Sequence, residues 1–141
     1  MSGTSGYGSA SNVTIFSGGS MTIYGSGFYA ENIKVYSGGI FSCYSVAGAS
    51  SVEVFSGASM ILYDSTGNVV QTTISGGTMH ISRGVASNTI LSGGLIYFTS
   101  RGSAIDTNIF SGGTMLVNGS SASAIGTKVY SGGSITVVFS K

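Results

Sequence analysis

One histidine, one cysteine and four carboxylates are the side chains of this chain best suited to acid–base, nucleophilic or metal chemistry: His80, Cys43, Glu31, Glu53, Asp64 and Asp106. A nucleophile and its base must sit within hydrogen-bond reach. His80 stands between Met79 and Ile81 in an outward-alternating position, whereas Cys43 stands in an inward one. The two are expected on opposite sides of the same wall, Cys43 as a packed core thiol and His80 as a surface residue. The four carboxylates fall at different points of the repeat set out below, so no acid–base pair is expected. One histidine and one cysteine are too few for a multi-ligand zinc site. A calcium-binding β-roll needs an aspartate after its glycines, and no Ser-Gly-Gly here is followed by one. The glycines of "YGSGFYA", Tyr24 to Ala30, lack the Lys-Ser/Thr ending of a phosphate loop. Asn12-Val13-Thr14 and Asn118-Gly119-Ser120 match the N-glycosylation pattern, as chance matches do in a chain this rich in Asn, Ser and Thr. No catalytic, metal-binding or cofactor-binding residue is expected, and the chain reads as a non-enzyme.

What must position the remaining side chains is a repeat. Ser-Gly-Gly begins at Ser17, Ser37, Ser75, Ser92, Ser111 and Ser131, with Ser-Gly-Ala at Ser56, at intervals of 20, 19, 19, 17, 19 and 20. Glycine inside regular structure costs ~0.5–1 kcal/mol relative to alanine. The 24 glycines therefore need positional reasons, and a tight turn of positive φ supplies one. Two residues before each serine stand Ile15, Val35, Val54, Thr73, Ile90, Ile109 and Val129, all β-branched. Four after stand Met21, Phe41, Met60, Met79, Ile96, Met115 and Ile135. Six after stand Ile23, Cys43, Leu62, Ile81, Phe98, Val117 and Val137. Alternation of two means strands. Strand, Gly-Gly turn, strand and a looser glycine-bearing bend, at Gly48, Gly67, Gly84, Gly102 and Gly119, make one coil. The expected fold is all-β: a single-stranded β-solenoid, or parallel β-helix, of about seven coils of 19–20 residues. It would form one domain over residues 1–141 with partial coils at both ends, three inward columns and a serine ladder at the turn.

The column just before each serine is large and apolar: Phe16, Tyr36, Phe55, Ile74, Leu91, Phe110 and Tyr130. It reads either as side chains tucked into the corner at the turn or as an exposed interaction stripe. Tyr24, Tyr44 and Tyr63 form a second short column, either simple ladder stabilisation or a surface suited to sugar faces and flat partners.

Composition narrows the partners. Charged residues make up 6% and the net charge is +1, so no electrostatic footprint for nucleic acid or anionic lipid exists. So few charges repel other copies weakly, which favours self-association, head-to-tail or lateral. Apolar residues at 42% argue against disorder. No run of about 18 apolar residues suggests a spanning helix, and the opening "MSGTSGYGSAS" is not an export signal.

The pattern "NTILSGGLIYF", preceded by "VASN" and followed by a glycine-bearing bend, resembles the strand-loop-strand repeat of AIDA-type autotransporter passengers. The resemblance runs from about Ala10 to Phe139. It implies a bacterial cell-surface or extracellular adhesin acting in adhesion, autoaggregation and biofilm formation and, in some members, glycosylated serine or threonine; together with the tyrosine column, a cell-surface or carbohydrate partner is expected. The sequence departs from the family in carrying no export signal or barrel, in placing large apolar residues where asparagine often precedes the serine, and in starting and finishing part-way through a coil. The leading reading is a surface adhesin or autoaggregation passenger. The alternative is a structural subunit stacking head-to-tail into extracellular fibres.

Overall fold

The computed structural model describes residues 7–45, 47–63 and 67–138, so Asp64 lies outside the described residues. The first four coils contain β1 (Gly8–Ile15), β2 (Ser20–Tyr24), β3 (Phe28–Val35), β4 (Ile40–Tyr44), β5 (Gly48–Phe55), β6 (Ser59–Tyr63), β7 (Asn68–Ser75) and β8 (Thr78–Ile81). The next add β9 (Gly84–Ser87), β10 (Ile90–Leu91), β11 (Gly94–Phe98), β12 (Gly102–Ile105), β13 (Asn108–Ile109) and β14 (Gly113–Val117). The last coil has β15 (Ser123–Ile125), β16 (Lys128–Val129) and β17 (Ser134–Val137). Each strand pairs in parallel with its counterpart one coil away. One wall runs β1-β3-β5-β7-β10-β13-β16, with β9, β12 and β15 carrying on the first halves of its long strands. The other runs from β2 to β17. The molecule is the β-solenoid expected from the repeat.

The first wall is folded along a line of left-handed residues. Asn12, Asn32, Ser51, Gln71, Asn88 and Asp106 have φ of 53–58°, and Gly126 follows at 65°. They stack in register, one per coil. Such a conformation costs a non-glycine residue about 1–3 kcal/mol, and asparagine and aspartate tolerate it best. Because one residue per coil leaves the extended conformation, the in–out alternation slips there. Ala10 and Val13, three apart, both face inward, as do Ala30 and Ile33. The core therefore has five inward columns per coil rather than three. The two added ones run Ala10, Ala30, Ala49, Val69, Ala86, Ala104, Ala124 and Val13, Ile33, Val52, Thr72, Thr89, Thr107, Thr127.

The turn after the first wall is a β-turn in which the Gly19 amide donates to the Phe16 carbonyl at 2.8 Å, with Gly18 at φ 75° in the third position. A type II turn requires positive φ there. The same bond recurs from Gly39 to Tyr36, Ala58 to Phe55, Gly113 to Phe110 and Gly133 to Tyr130. The coils with Ser75 and Ser92 differ. Their Ser-Gly-Gly is kept but the residue before the serine is the inward one: Ile74 pairs with Val54 and with Leu91, and Leu91 with Ile109. These turns are one residue shorter. The expected column two before the serine is accordingly corrected in these coils, since Thr73 and Ile90 face outward while Ile74 and Leu91 are fully buried. The other two expected columns run inward through every coil, uncovered only at Ile135 and Val137 in the last.

Candidate functional site

In five of the seven coils the residue before the turn serine leaves the core at the corner of the Gly-Gly or Gly-Ala turn. Its side chain projects outward and meets its counterpart one coil away. Phe16 and Tyr36 stack at 5.7 Å between ring centroids, Tyr36 and Phe55 at 4.7 Å, and Phe110 and Tyr130 at 4.6 Å, all within 10° of parallel. Phe16, Tyr36, Phe110 and Tyr130 are exposed and Phe55 is half-buried. The stripe is not continuous, because Ile74 and Leu91 belong to the core, and their places are taken by Ser75 and Ser92. Ser75 pairs directly with Phe55. The serine ladder is displaced in the same two coils. Ser17, Ser37 and Ser56 stay in one column and Ser111 and Ser131 in its continuation, while Ser75 and Ser92 step sideways into the aromatic column.

On the second wall, Tyr24, Tyr44 and Tyr63 lie in register. Tyr44 and Tyr63 stack at 4.9 Å, Tyr63 meets His80 edge-on at 5.7 Å, and His80 stacks on Tyr97 at 4.4 Å and 4°. Four rings thus form one oblique run, Tyr44–Tyr63–His80–Tyr97, wider than the tyrosine column expected from spacing. Beside it opens a hollow of about 330 Å³ lined by Tyr44, Tyr63, Ser82, Arg83 and Ser100. His80 hydrogen-bonds the Thr99 hydroxyl through Nε2 at 2.7 Å. It is therefore a fixed member of a surface aromatic run.

Partial burial between rings lowers the His80 pKa below the ordinary 6.5. A histidine held neutral in the fold contributes fully above the unfolded-state value. As pH falls through 6.5 the unfolded chain takes up the proton first, and that contribution shrinks. Thermal unfolding at pH 7.5 and pH 5 is expected to show a small loss of stability in acid, small because the ring is half-exposed and solvent screens it. His80→Gln should flatten that slope; an unchanged slope would place its origin elsewhere.

Cys43 faces the core between Ile23 and Leu62. Burial pushes its thiol up to about 12, so it carries almost no thiolate at neutral pH. It lies across the wall from the column of His80. Among the described residues no cluster of three or more metal-ligating side chains occurs, and no helix is long and apolar enough to cross a membrane.

The third surface escaped sequence reasoning. The left-handed residues bend the first wall into an open groove. A hollow of about 600 Å³ is lined by Asn12, Asn32, Lys34, Ser51, Glu53, Gln71 and Thr73. A second of about 390 Å³ shares Gln71 and Thr73 and continues past Asn88, Ile90, Asp106 and Asn108. The Asn32 amide donates to Asn12 Oδ1 at 3.3 Å, and Lys34 pairs with Glu53 at 3.5 Å. The signal available in sequence was a polar or glycine residue four or five before each turn serine, at Asn12, Asn32, Ser51, Gln71, Asn88, Asp106 and Gly126.

No protein-family model and no curated protein sequence matches this chain. Among solved structures it is similar to a crystal structure of a TibC-catalysed, hyper-glycosylated fragment of TibA. The TM-score is 0.43 and the sequences are 25% identical, over 94% of this chain and 69% of that one.

Proposed function

We propose that this chain is a non-enzymatic bacterial surface β-solenoid of the autotransporter-passenger type, which makes adhesive contacts through its side walls. The observation that carries the reading is the ring run Tyr44–Tyr63–His80–Tyr97, with Ser82, Arg83 and Ser100 beside its tyrosine end. Flat apolar ring faces next to hydroxyl and guanidinium donors suit the faces and hydroxyls of sugars. The groove of amide side chains on the first wall supports the same reading. Its localisation in this proposal is extracellular, at the bacterial surface.

The test is to display the chain on beads and measure binding to a glycan array and to cells, along with bead clumping. Wild-type beads are expected to bind or clump. Tyr63→Ala, which removes the central ring of the run from the surface, is expected to lower glycan or cell retention about tenfold, as losing a stacked aromatic contact does. Beads that neither bind nor clump would sink the adhesin reading.

A second reading, a structural subunit stacking head to tail, is favoured by the likeness of the end coils. Val129, Tyr130, Ser131, Gly132 and Gly133 occupy the columns of Ile15, Phe16, Ser17, Gly18 and Gly19, and Ile135 and Val137 those of Met21 and Ile23. Val129, Ile135 and Val137 are exposed apolar side chains. Electron microscopy would show long rods one coil wide if this reading holds, and only short rods if it does not.

A further inference from the structure

The aromatic corner has a pattern of its own. In coil order it carries Phe16, Tyr36, Phe55, then Ser75 and Ser92, then Phe110 and Tyr130. Two rungs bear serines where the others bear rings. Coils repeat at ~4.8 Å, so the outer faces of Phe55 and Phe110 look at each other across roughly 14 Å, or three rungs. That space takes two further rings at stacking distance. The chain itself presents an exposed two-ring stack, Phe110–Tyr130, at 4.6 Å.

We propose that the two-serine gap is a socket for the Phe110–Tyr130 pair of a second copy of this chain lying antiparallel. The register closes on itself. When the partner's Tyr130 sits beside Ser75 and the partner's Phe110 beside Ser92, the two-fold axis falls between Ser92 and Phe110. It then carries this copy's Phe110 and Tyr130 onto Ser92 and Ser75 of the partner. Such an interface is isologous, as closed dimers require. The five rings of each copy then form one uninterrupted column, with three new ring contacts: Phe55 on the partner's Tyr130, Phe110 on the partner's Phe110, and Tyr130 on the partner's Phe55. Within each of the two stacks the ring planes lie within 10° of each other, the face-to-face arrangement that an inserted pair would extend. A neutral planar ligand also fits a gap of this width, but a second copy has its own gap filled in return. Ser75, Ser92, Phe110 and Tyr130 are all uncharged, so the inserted contact itself buries no charge.

This inference deepens the adhesive reading by naming one partner, the chain itself. Sedimentation equilibrium of the whole chain over a wide concentration range is expected to show a reversible dimer. Phe110→Ser with Tyr130→Ser removes the inserted pair, and Ser75→Phe with Ser92→Phe fills the socket from within. Each double variant is expected to weaken the dimer about tenfold or more while circular dichroism remains that of a folded β-protein. Ser92→Cys, close to the two-fold axis, should cross-link to its mate on oxidation. Ser37→Cys, which faces no residue of an antiparallel partner, should not. A wild type that stays monomeric, a socket-filled variant that dimerises like wild type, or cross-linking through Ser37→Cys would each overturn the antiparallel socket. If the socket-filled beads still clump as wild type does, only this inference fails; if wild-type beads neither bind nor clump, the adhesive reading fails.

Discussion

Gly94→Ala is expected to cost the solenoid about 3 kcal/mol or more, and Gly93→Ala next to it only about 1–2 kcal/mol. Both glycines have positive φ, 85° and 76°, so both substitutions pay for a left-handed backbone. They differ in what the new methyl meets. At Gly93 the nearest atoms are Gly76 backbone at 3.6 Å, ordinary contact. At Gly94 the methyl would fall on the Gly77 carbonyl oxygen and within 2.9 Å of Gly77 N. That oxygen already accepts the Leu95 amide at 3.0 Å, one of the bonds tying these two coils together. Backbone cannot swing aside as a side chain can, so the coils must part locally. In a solenoid each coil is stabilised by its neighbours alone, so a weakened interface in the middle is felt through the whole rod. Urea unfolding of the two variants measures the difference; equal midpoints would show that the short turn yields more easily than its geometry indicates.

The second large effect has the opposite sign. Thr72, Thr89 and Thr107 are at most 1% exposed, and with Thr127 their hydroxyl oxygens are buried with no hydrogen-bond partner. The rungs, ~4.8 Å apart, hold the hydroxyls beyond reach of one another. An unsatisfied buried hydroxyl costs roughly 1–3 kcal/mol, and an apolar group of the same shape removes that cost. Valine is that group, and the same column holds it at Val13 and Val52, which pack against the apolar core. Thr72→Val, Thr89→Val and Thr107→Val are each expected to stabilise by about 1 kcal/mol, and the triple variant by roughly 3 kcal/mol. Neighbouring rungs need not add strictly. Denaturant unfolding checks this. A stability loss in Thr89→Val would reveal that buried water bonds the threonine file.

The repeat itself was legible because burial repeats with chain geometry. The columns of Met21 and Ile23 alternate with outward residues at the period of two that a strand imposes, and they hold through all seven coils. Two physical events hid the rest. The Ser-Gly-Gly phrase survives the loss of the residue before it, so aligning by serine slid Ile74 and Leu91 out of the core column and Thr73 and Ile90 into it. Only their partners one coil away reveal the shift. The left-handed residues broke the alternation itself, placing Ala10 and Val13 on the same side at a spacing of three, which the strand period of two does not flag. The ring stacks were visible as a column of large residues, but the break at Ser75 and Ser92 depends on the corrected register. The groove was invisible because what recurs there is a backbone angle, expressed through Asn, Ser, Gln, Asp and Gly in turn.

At the fold line of the first wall, architecture is written in φ while chemistry is written in the side chain, and the two are nearly independent. Any residue that accepts the angle holds the corner, so amide, hydroxyl, carboxylate or hydrogen can be exchanged rung by rung without moving a strand. The solenoid therefore carries a rewritable strip of seven characters along its length, on which new recognition can be drafted while the scaffold stays still.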